Sequence, residues 1–356
     1  MEANTVLNRV PRRTSPAVAR LRRWWDRYSL IAFLLILPVA FGINDLVTTG
    51  SLTALAENLK DGISNGAIWA LVAIGYTLVY GIIELINFAH GEVFMIGSFV
   101  STGLWATLGL ALGTAVFGLV GGILASLVVA MVACGVLNVL IERVAYRPLR
   151  NAPKLAPLIT AVGMSFILQN VALLWLGGSQ TSVPDLVHAQ QDLFTIGGVH
   201  IYRADLLSVA VTAPLVIALI MFLNRSRLGK AMRATAQDPE AARLMGINVD
   251  TTISLTFLIG GALAGAAGLV YAMYETTIWY FQGFRAGLIA FTAAVMGGIG
   301  NVFGAVLGGL IIGCIQQISD SRIGAQWTNV IVFGYLIVIM VLRPRGLLGE
   351  ETREAG

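Results

Sequence analysis

Charge is missing from this chain in long consecutive stretches. No Asp, Glu, Lys or Arg occurs between Asp61 and Glu84, Glu92 and Glu142, Lys154 and Asp185, Asp205 and Arg225, Asp250 and Glu275, Arg285 and Asp320, or Arg322 and Arg343. About 20 apolar residues cross a bilayer as a helix, so the longest stretches hold two crossings. Only 12% of the residues are charged, against about 25% in soluble domains. In hydrocarbon the backbone must satisfy its own polar groups, which a helix does within one segment. The fold class that follows is an all-α polytopic membrane protein with about 8–10 transmembrane helices, including a broken or re-entrant segment. Cys134 and Cys314 both lie in apolar stretches and read as inert small side chains rather than a disulfide framework.

The basic residues set the expected topology. Arg9, Arg12, Arg13, Arg20, Arg22, Arg23 and Arg27 precede the first span, which places the N-terminus in the cytoplasm. The other basic clusters are Arg143 to Lys154, Arg225 to Arg243 and Arg343 to Arg353. All fall on one side if the spans are 29–48, 63–83, 86–108, 114–141, 156–177, 205–224, 251–273, a short 286–297, 302–318 and 327–343. Both termini are then inside, and Glu57 to Asp61, Asp185 to Arg203, Glu275 to Arg285 and Asp320 to Arg322 form outer loops. Residues 1–50 read as a basic cytoplasmic tail plus an extra first helix. A signal peptide cut near Ala40-Phe41-Gly42 is the alternative, and it would spoil the even count of spans. Residues 51–348 form the transmembrane domain, with a cytoplasmic loop at 225–250, and 349–356 is a tail.

Glycine patterns indicate how the spans pack. Gly300, Gly304 and Gly308, Gly309 and Gly313, and Gly261 and Gly265 are spaced four apart, so each set lines one helix face and permits close backbone approach. Met296-Gly297-Gly298-Ile299-Gly300-Asn301 is too glycine-rich for a helix interior. It reads either as a broken helix beside a translocation path, involving Gly297, Gly298, Gly300 and Asn301, or as a tight turn between packed helices. Glu84 to Glu92 is a second polar interruption. Asn87, His90 and Glu92 are read either as an interfacial hairpin with Asn87 capping the next helix, or as part of the path, since ionisable groups in membranes are costly. One histidine with one nearby carboxylate is too few ligands for a metal, and no cofactor is called for.

The segment Ser226 to Gly246 departs most from its surroundings. Asp238 suits an N-cap, Pro239 the first helical position and Gly246 a left-handed stop. A helix this short needs support from outside itself. Ala241, Leu244 and Met245 share a face, suited to a groove in a soluble partner, while Arg233 and Arg243 can meet partner acids. The plainer reading rests this turn on lipid headgroups. The chain has no G-x-x-x-x-G-K-[ST], because Gly229-Lys230 lacks the upstream glycine and the following Ser or Thr, so no phosphate-binding loop is present. The basic residues flank spans and do not point to nucleic acid.

NGAIWALVAIGYTLVYGIIELINFAHGEVFMIGSFVS from Asn65, IERVAYRPLR from Ile141, the loop from Arg225 to Asn248 and FTAAVMGGIGNVFGAVLGGLIIG from Phe291 resemble the permease subunits of bacterial branched-chain amino acid ABC importers. The wording is closest to the smaller of the two permeases in such systems, and the likeness covers residues 55–348. It implies an ABC importer permease fold in a bacterial cytoplasmic membrane. The implied partners are a second permease subunit, two cytoplasmic ATP-binding subunits and an extracytoplasmic solute-binding protein. The chain itself would not be an enzyme. Glu240-Ala241-Ala242 followed by Gly246 looks like the family's ATPase-coupling motif. The resemblance does not extend to residues 1–50. A permease for urea or another small polar solute of the same class is an alternative function, and an ion-coupled secondary transporter or channel is one from another class.

Overall fold

The computed structural model describes residues 29–111, 113–150, 152–153 and 155–349. The N-terminal arginines, Lys154, Arg353 and the tail after Gly349 lie outside the described residues. The helices are α1 (Ile36–Thr48), α2 (Thr53–Ile83), α3 (His90–Thr107), α4 (Val116–Ile141), α5 (Leu155–Leu176), α6 (Arg203–Arg225), α7 (Arg227–Gln237), α8 (Pro239–Leu244), α9 (Val249–Glu275), α10 (Gln282–Gly297), α11 (Val302–Ser319) and α12 (Thr328–Leu342). Six of the described helical segments are long and apolar enough to cross a membrane: α2, α4 with its continuation to Leu149, α5, α6, α9, and α11 with its continuation to Gly324. Helices α1 and α12 are apolar but shorter.

Helices α2 and α9 form the centre. Their apolar windows are 78% and 72% buried, whereas those of α5 and α6 are 28% and 22% buried. α2 packs mainly on α11, and α9 mainly on α4 and α3. Lipid tails are as apolar as leucine, so burying apolar surface does not drive these contacts; close packing does. The glycine faces supply it. A Cβ at Gly313 of α11 would lie 2.3 Å from Gly62 O and 2.4 Å from Gly66 Cα, both on α2. On α9, a Cβ at Gly265 would lie 2.4 Å from Ala130 O and one at Gly261 2.5 Å from Cys134 O, both on α4.

The structure corrects several expected boundaries. α2 begins at Thr53, so Glu57 to Asp61 lies on a helix and not in an outer loop. The charges are tolerated there because Lys60 pairs with Asp61 at 2.7 Å and with Asp205 at 2.8 Å, and donates to His200 O at 2.8 Å. α3 starts at His90 rather than 86, because Glu84 at φ 52° stops α2 and the chain stays irregular through 89. α10 starts at Gln282, earlier than 286. The connections also carry strands that sequence patterning did not reveal. β1 (Thr181–Ser182) pairs with β4 (Thr277–Ile278), and β2 (Asp192–Ile196) with β3 (Val199–Tyr202) around Gly197 and Gly198, both at positive φ, as a tight hairpin turn requires. Among the described residues, none of these strands lies within the six segments long and apolar enough to cross a membrane.

The helix ahead of Thr53 is docked. Buried Asp45 accepts from Arg322, which follows α11, at 2.8 Å, and the Phe33 and Tyr335 rings are 4.5 Å apart.

The glycine seams yield a discriminating test. Gly313→Ala should destabilise the protein by about 1–3 kcal/mol through overpacking. Gly163→Ala on α5, where nothing lies within 4 Å of the added carbon, should be neutral or slightly stabilising. Thermal unfolding midpoints in detergent check both.

Candidate functional site

The segment from Ser226 to Gly246 forms two helices with explicit caps. Ser226 Oγ accepts from Gly229 N at 2.8 Å and starts α7. Asp238 Oδ1 accepts from Glu240 N at 2.8 Å and Ala241 N at 2.9 Å, with Pro239 as the first residue of α8. Gly246 at φ 81° ends it, with its N–H on Arg243 O at 3.0 Å. These side-chain and backbone bonds take up donors and acceptors that a six-residue helix leaves open at its ends.

One face of α8 is presented outward. Leu244 and Met245 are 89% and 82% exposed, and Glu240, Ala241 and Arg243 are exposed with them. One of the expected contact residues is placed differently. Ala242 is 4% exposed and faces the chain's own core, since α8 is held between α7 and α9 and one side must face inward. Arg233 donates to Leu223 O and, at 3.5 Å, to Asn224 Oδ1. Its guanidinium bonds oxygens at the end of α6 while the residue stays exposed.

In the polar cluster at 84–92, Glu84 is exposed while Asn87, His90 and Glu92 are buried inside the subunit. Asn87 is 1% exposed, and His90 and Glu92 are 0% exposed. Asn87 does not cap α3, whose N-cap is Ala89. Its amide donates to Asn138 Oδ1 at 3.1 Å, and its oxygen accepts from the Tyr146 hydroxyl at 2.7 Å. Asn138 in turn donates to Phe257 O on α9 at 2.7 Å. His90 sits edge-on to Tyr76, ring centroids 4.9 Å apart, in the space left by Gly75. Glu92 accepts from Ser165 of α5 at 3.1 Å and lies against Gly283. The three side chains thus point to three different neighbours, each joining helices.

Gly297 to Asn301 is a tight turn between α10 and α11. Gly298 and Gly300 have φ of 106° and 94°. A Cβ at Gly297 would lie 2.0 Å from Gly304 O. The segment after α12 seals the turn: Leu347 N and Leu348 N donate to Met296 O and Gly297 O at 2.8 and 2.9 Å, and Asn301 donates to Leu348 O at 2.9 Å. At 16 residues, α10 is about 24 Å long, shorter than the roughly 30 Å hydrocarbon core.

Sequence reasoning missed a charged cluster beside α8. Asp250, in the first turn of α9, accepts from Arg147 at 2.9 Å and from Arg150 at 2.6 Å. Arg150 also pairs with Glu142, whose other oxygen accepts from Ser254 at 2.7 Å. The signals were present: Glu142, Arg147 and Arg150 all lie in the quoted IERVAYRPLR block. Nothing in the sequence pairs that block with position 250.

Comparison with known proteins decides the family. Its profile, described as the permease component of branched-chain amino acid transport systems, matches residues 58–341. The chain belongs to this permease family. It is 42% identical to the high-affinity branched-chain amino acid transport system permease protein BraD of Pseudomonas aeruginosa, over 84% of this chain and 97% of the relative. The permease is 41% identical to the corresponding protein LivH of Escherichia coli, over 84% of this chain and 96% of the relative. It is also 25% identical to the D-allose transport system permease protein AlsC of Escherichia coli, over 90% and 92%. No solved structure matches it. The permease is a multi-pass membrane protein, and both the α8 segment and the 84–92 cluster fall within the matched region.

Removing Asn138 should strand Asn87 and Phe257 O in a buried setting. Asn138→Leu is expected to cost about 1–3 kcal/mol, read as a lowered unfolding midpoint in detergent.

Proposed function

We propose that this permease is the membrane-spanning subunit of an ATP-driven importer that moves branched-chain amino acids into the cell, with ATP hydrolysed on separate subunits. The observation that carries this reading is α8. A fully capped helix presents Leu244 and Met245 to the outside, in a chain without a phosphate-binding loop. Such a helix is suited to a groove on a soluble protein. Membership of the family supplies the class of that protein, an ATPase, and the names of the 41–42% identical relatives supply the substrate class.

In this reading α8 and both termini lie on the cytoplasmic side, where the basic clusters belong. The complete importer pairs this chain with a second permease, two ATP-binding subunits and an extracytoplasmic solute-binding protein. Closure of the ATPase dimer displaces α8, and α6 and α9 on either side carry the motion into the membrane, opening the path alternately to each side. In this reading the path for an amino acid forms between this chain and its partner permease. Asn87, His90 and Glu92 serve it from behind, by fixing the helices that shape it.

Leu244→Asp should leave the fold intact, since the side chain is exposed. It should reduce the ATPase recovered with the affinity-purified permease at least about tenfold, a loss of about 1.4 kcal/mol. Undiminished recovery together with normal ATP-dependent leucine uptake would remove the docking role. Selection should reside in the solute-binding protein. Calorimetry on the isolated permease is accordingly expected to show no saturable leucine binding tighter than about 1 mM, which corresponds to only about 4 kcal/mol.

A further inference from the structure

The charged cluster beside α8 is linked by hydrogen bonds to the polar core below it. Asp250 is separated from the end of α8 by only a few residues, and its neighbour Asn248 caps α9 by accepting from Thr251 N at 3.0 Å. Ser254 stands one turn further along the same face of α9, and Phe257 follows it. All three positions are bound to one stretch of chain, Asn138 to Arg150: Asp250 to Arg147 and Arg150, Ser254 to Glu142, and Phe257 O to Asn138. The start of α9 and the end of α4 are thereby pinned together over about two turns of α9. The same stretch reaches onward through Tyr146 and Asn138, which hold the two ends of the Asn87 amide.

Asn87 lies in the break at 84–89 between α2 and α3. Glu84, a non-glycine residue at φ 52°, stands at its edge. That left-handed conformation ends α2, with the Glu84 N–H on Tyr80 O. This segment is irregular, and the elements on either side of it are long helices, so it is where a displacement can be absorbed.

We propose that Glu142, Arg150 and Asp250 form a clamp that transmits movement of the ATPase-docking helix α8, through α4 and the Tyr146–Asn87–Asn138 hydrogen bonds, to the break at 84–89. Their part in transport is positioning. The charges grade from rim to core: the side chains of Asp250 and Arg147 are 47% and 44% exposed, that of Arg150 20% and that of Glu142 0%. Glu142 has both oxygens occupied, so it is a fixed anchor. A buried carboxylate bound by a guanidinium resists separation, because parting them leaves an uncompensated charge. The outer pair with Asp250 is weaker and reachable from solvent. The clamp is therefore stiff on the α4 side, and its outer link to α9 through Asp250 can be removed without unfolding the protein, because Ser254 still holds Glu142.

This proposal rests on the docking role assigned to α8, and the two are separable by experiment. Asp250→Asn is introduced into the permease of the assembled transporter in proteoliposomes, and leucine uptake and ATP hydrolysis are measured together. An exposed pair of this kind contributes about 0–1 kcal/mol to stability, so a structural role alone predicts a silent variant. The clamp predicts at least about a fivefold fall in leucine moved per ATP hydrolysed, with the ATPase still bound and an unchanged melting temperature. Asp250→Glu, which keeps the charge, should restore most of the ratio. Ser254→Ala, which loosens Glu142 from α9, should shift the ratio in the same direction as Asp250→Asn. An unchanged ratio in Asp250→Asn overturns the clamp, as does a parallel loss of uptake, hydrolysis and protein from the membrane. Failure of the ATPase to copurify with the unaltered permease would instead remove the docking role of α8.

Discussion

The structure depends on backbone-to-backbone contact between its central helices. A soluble core is held by expelling water from apolar surface, but a helix leaving lipid for another helix gains little of that. Here α2 meets α11 across Gly62, Gly66, Gly309 and Gly313, and α9 meets α4 across Gly261 and Gly265, so closely that an added methyl would fall about 2.3–2.8 Å from opposing backbone atoms. Dispersion contacts are individually small and act only at such range. Every other arrangement is hung on these two seams, including the outer helices α5 and α6, which bury far less of their surface.

Polar side chains supply the specificity that glycine faces lack. Smooth faces can slide, whereas Asn87, Asn138 and Tyr146 can bond one another in only one register. A buried polar atom without a partner is costly in low dielectric, so a slipped helix would lose several bonds at once. Glu142 and Arg150 repeat this logic with charge at the end of α4. The same bonds that fix the register also link the start of α9 to the irregular backbone at 84–89.

Much of this was legible in the chain, and for local reasons. The charge-free stretches located the spans, and the caps of α8, Asp238 and Gly246, stood where side-chain chemistry and positive φ demand them. Gly261, Gly265, Gly309 and Gly313 were correctly read as contact faces. The misreadings have a common origin. Ala242 was grouped with the coupling residues through the motif it resembles, and a motif does not say which residues of a short helix face inward. Glu57 to Asp61 looked like a loop because the partners that make its charges tolerable, Asp205 and His200, are remote in sequence. Asn87 looked like a cap because its true partners lie at 138 and 146.

The sequence by itself determined the class of protein, its division into apolar helices and one charged segment, and the family to which it belongs. Those follow from hydropathy, local capping and wording, each contained within a short window. Only the tertiary structure decided which glycine face meets which, that Asn87, His90 and Glu92 are buried among helices, and that Asp250 answers Arg147 and Arg150 across a hundred residues of chain. Such pairings arise from packing whole helices side by side, and in hydrocarbon the choice among packings turns on contacts of a few ångströms that no local pattern records.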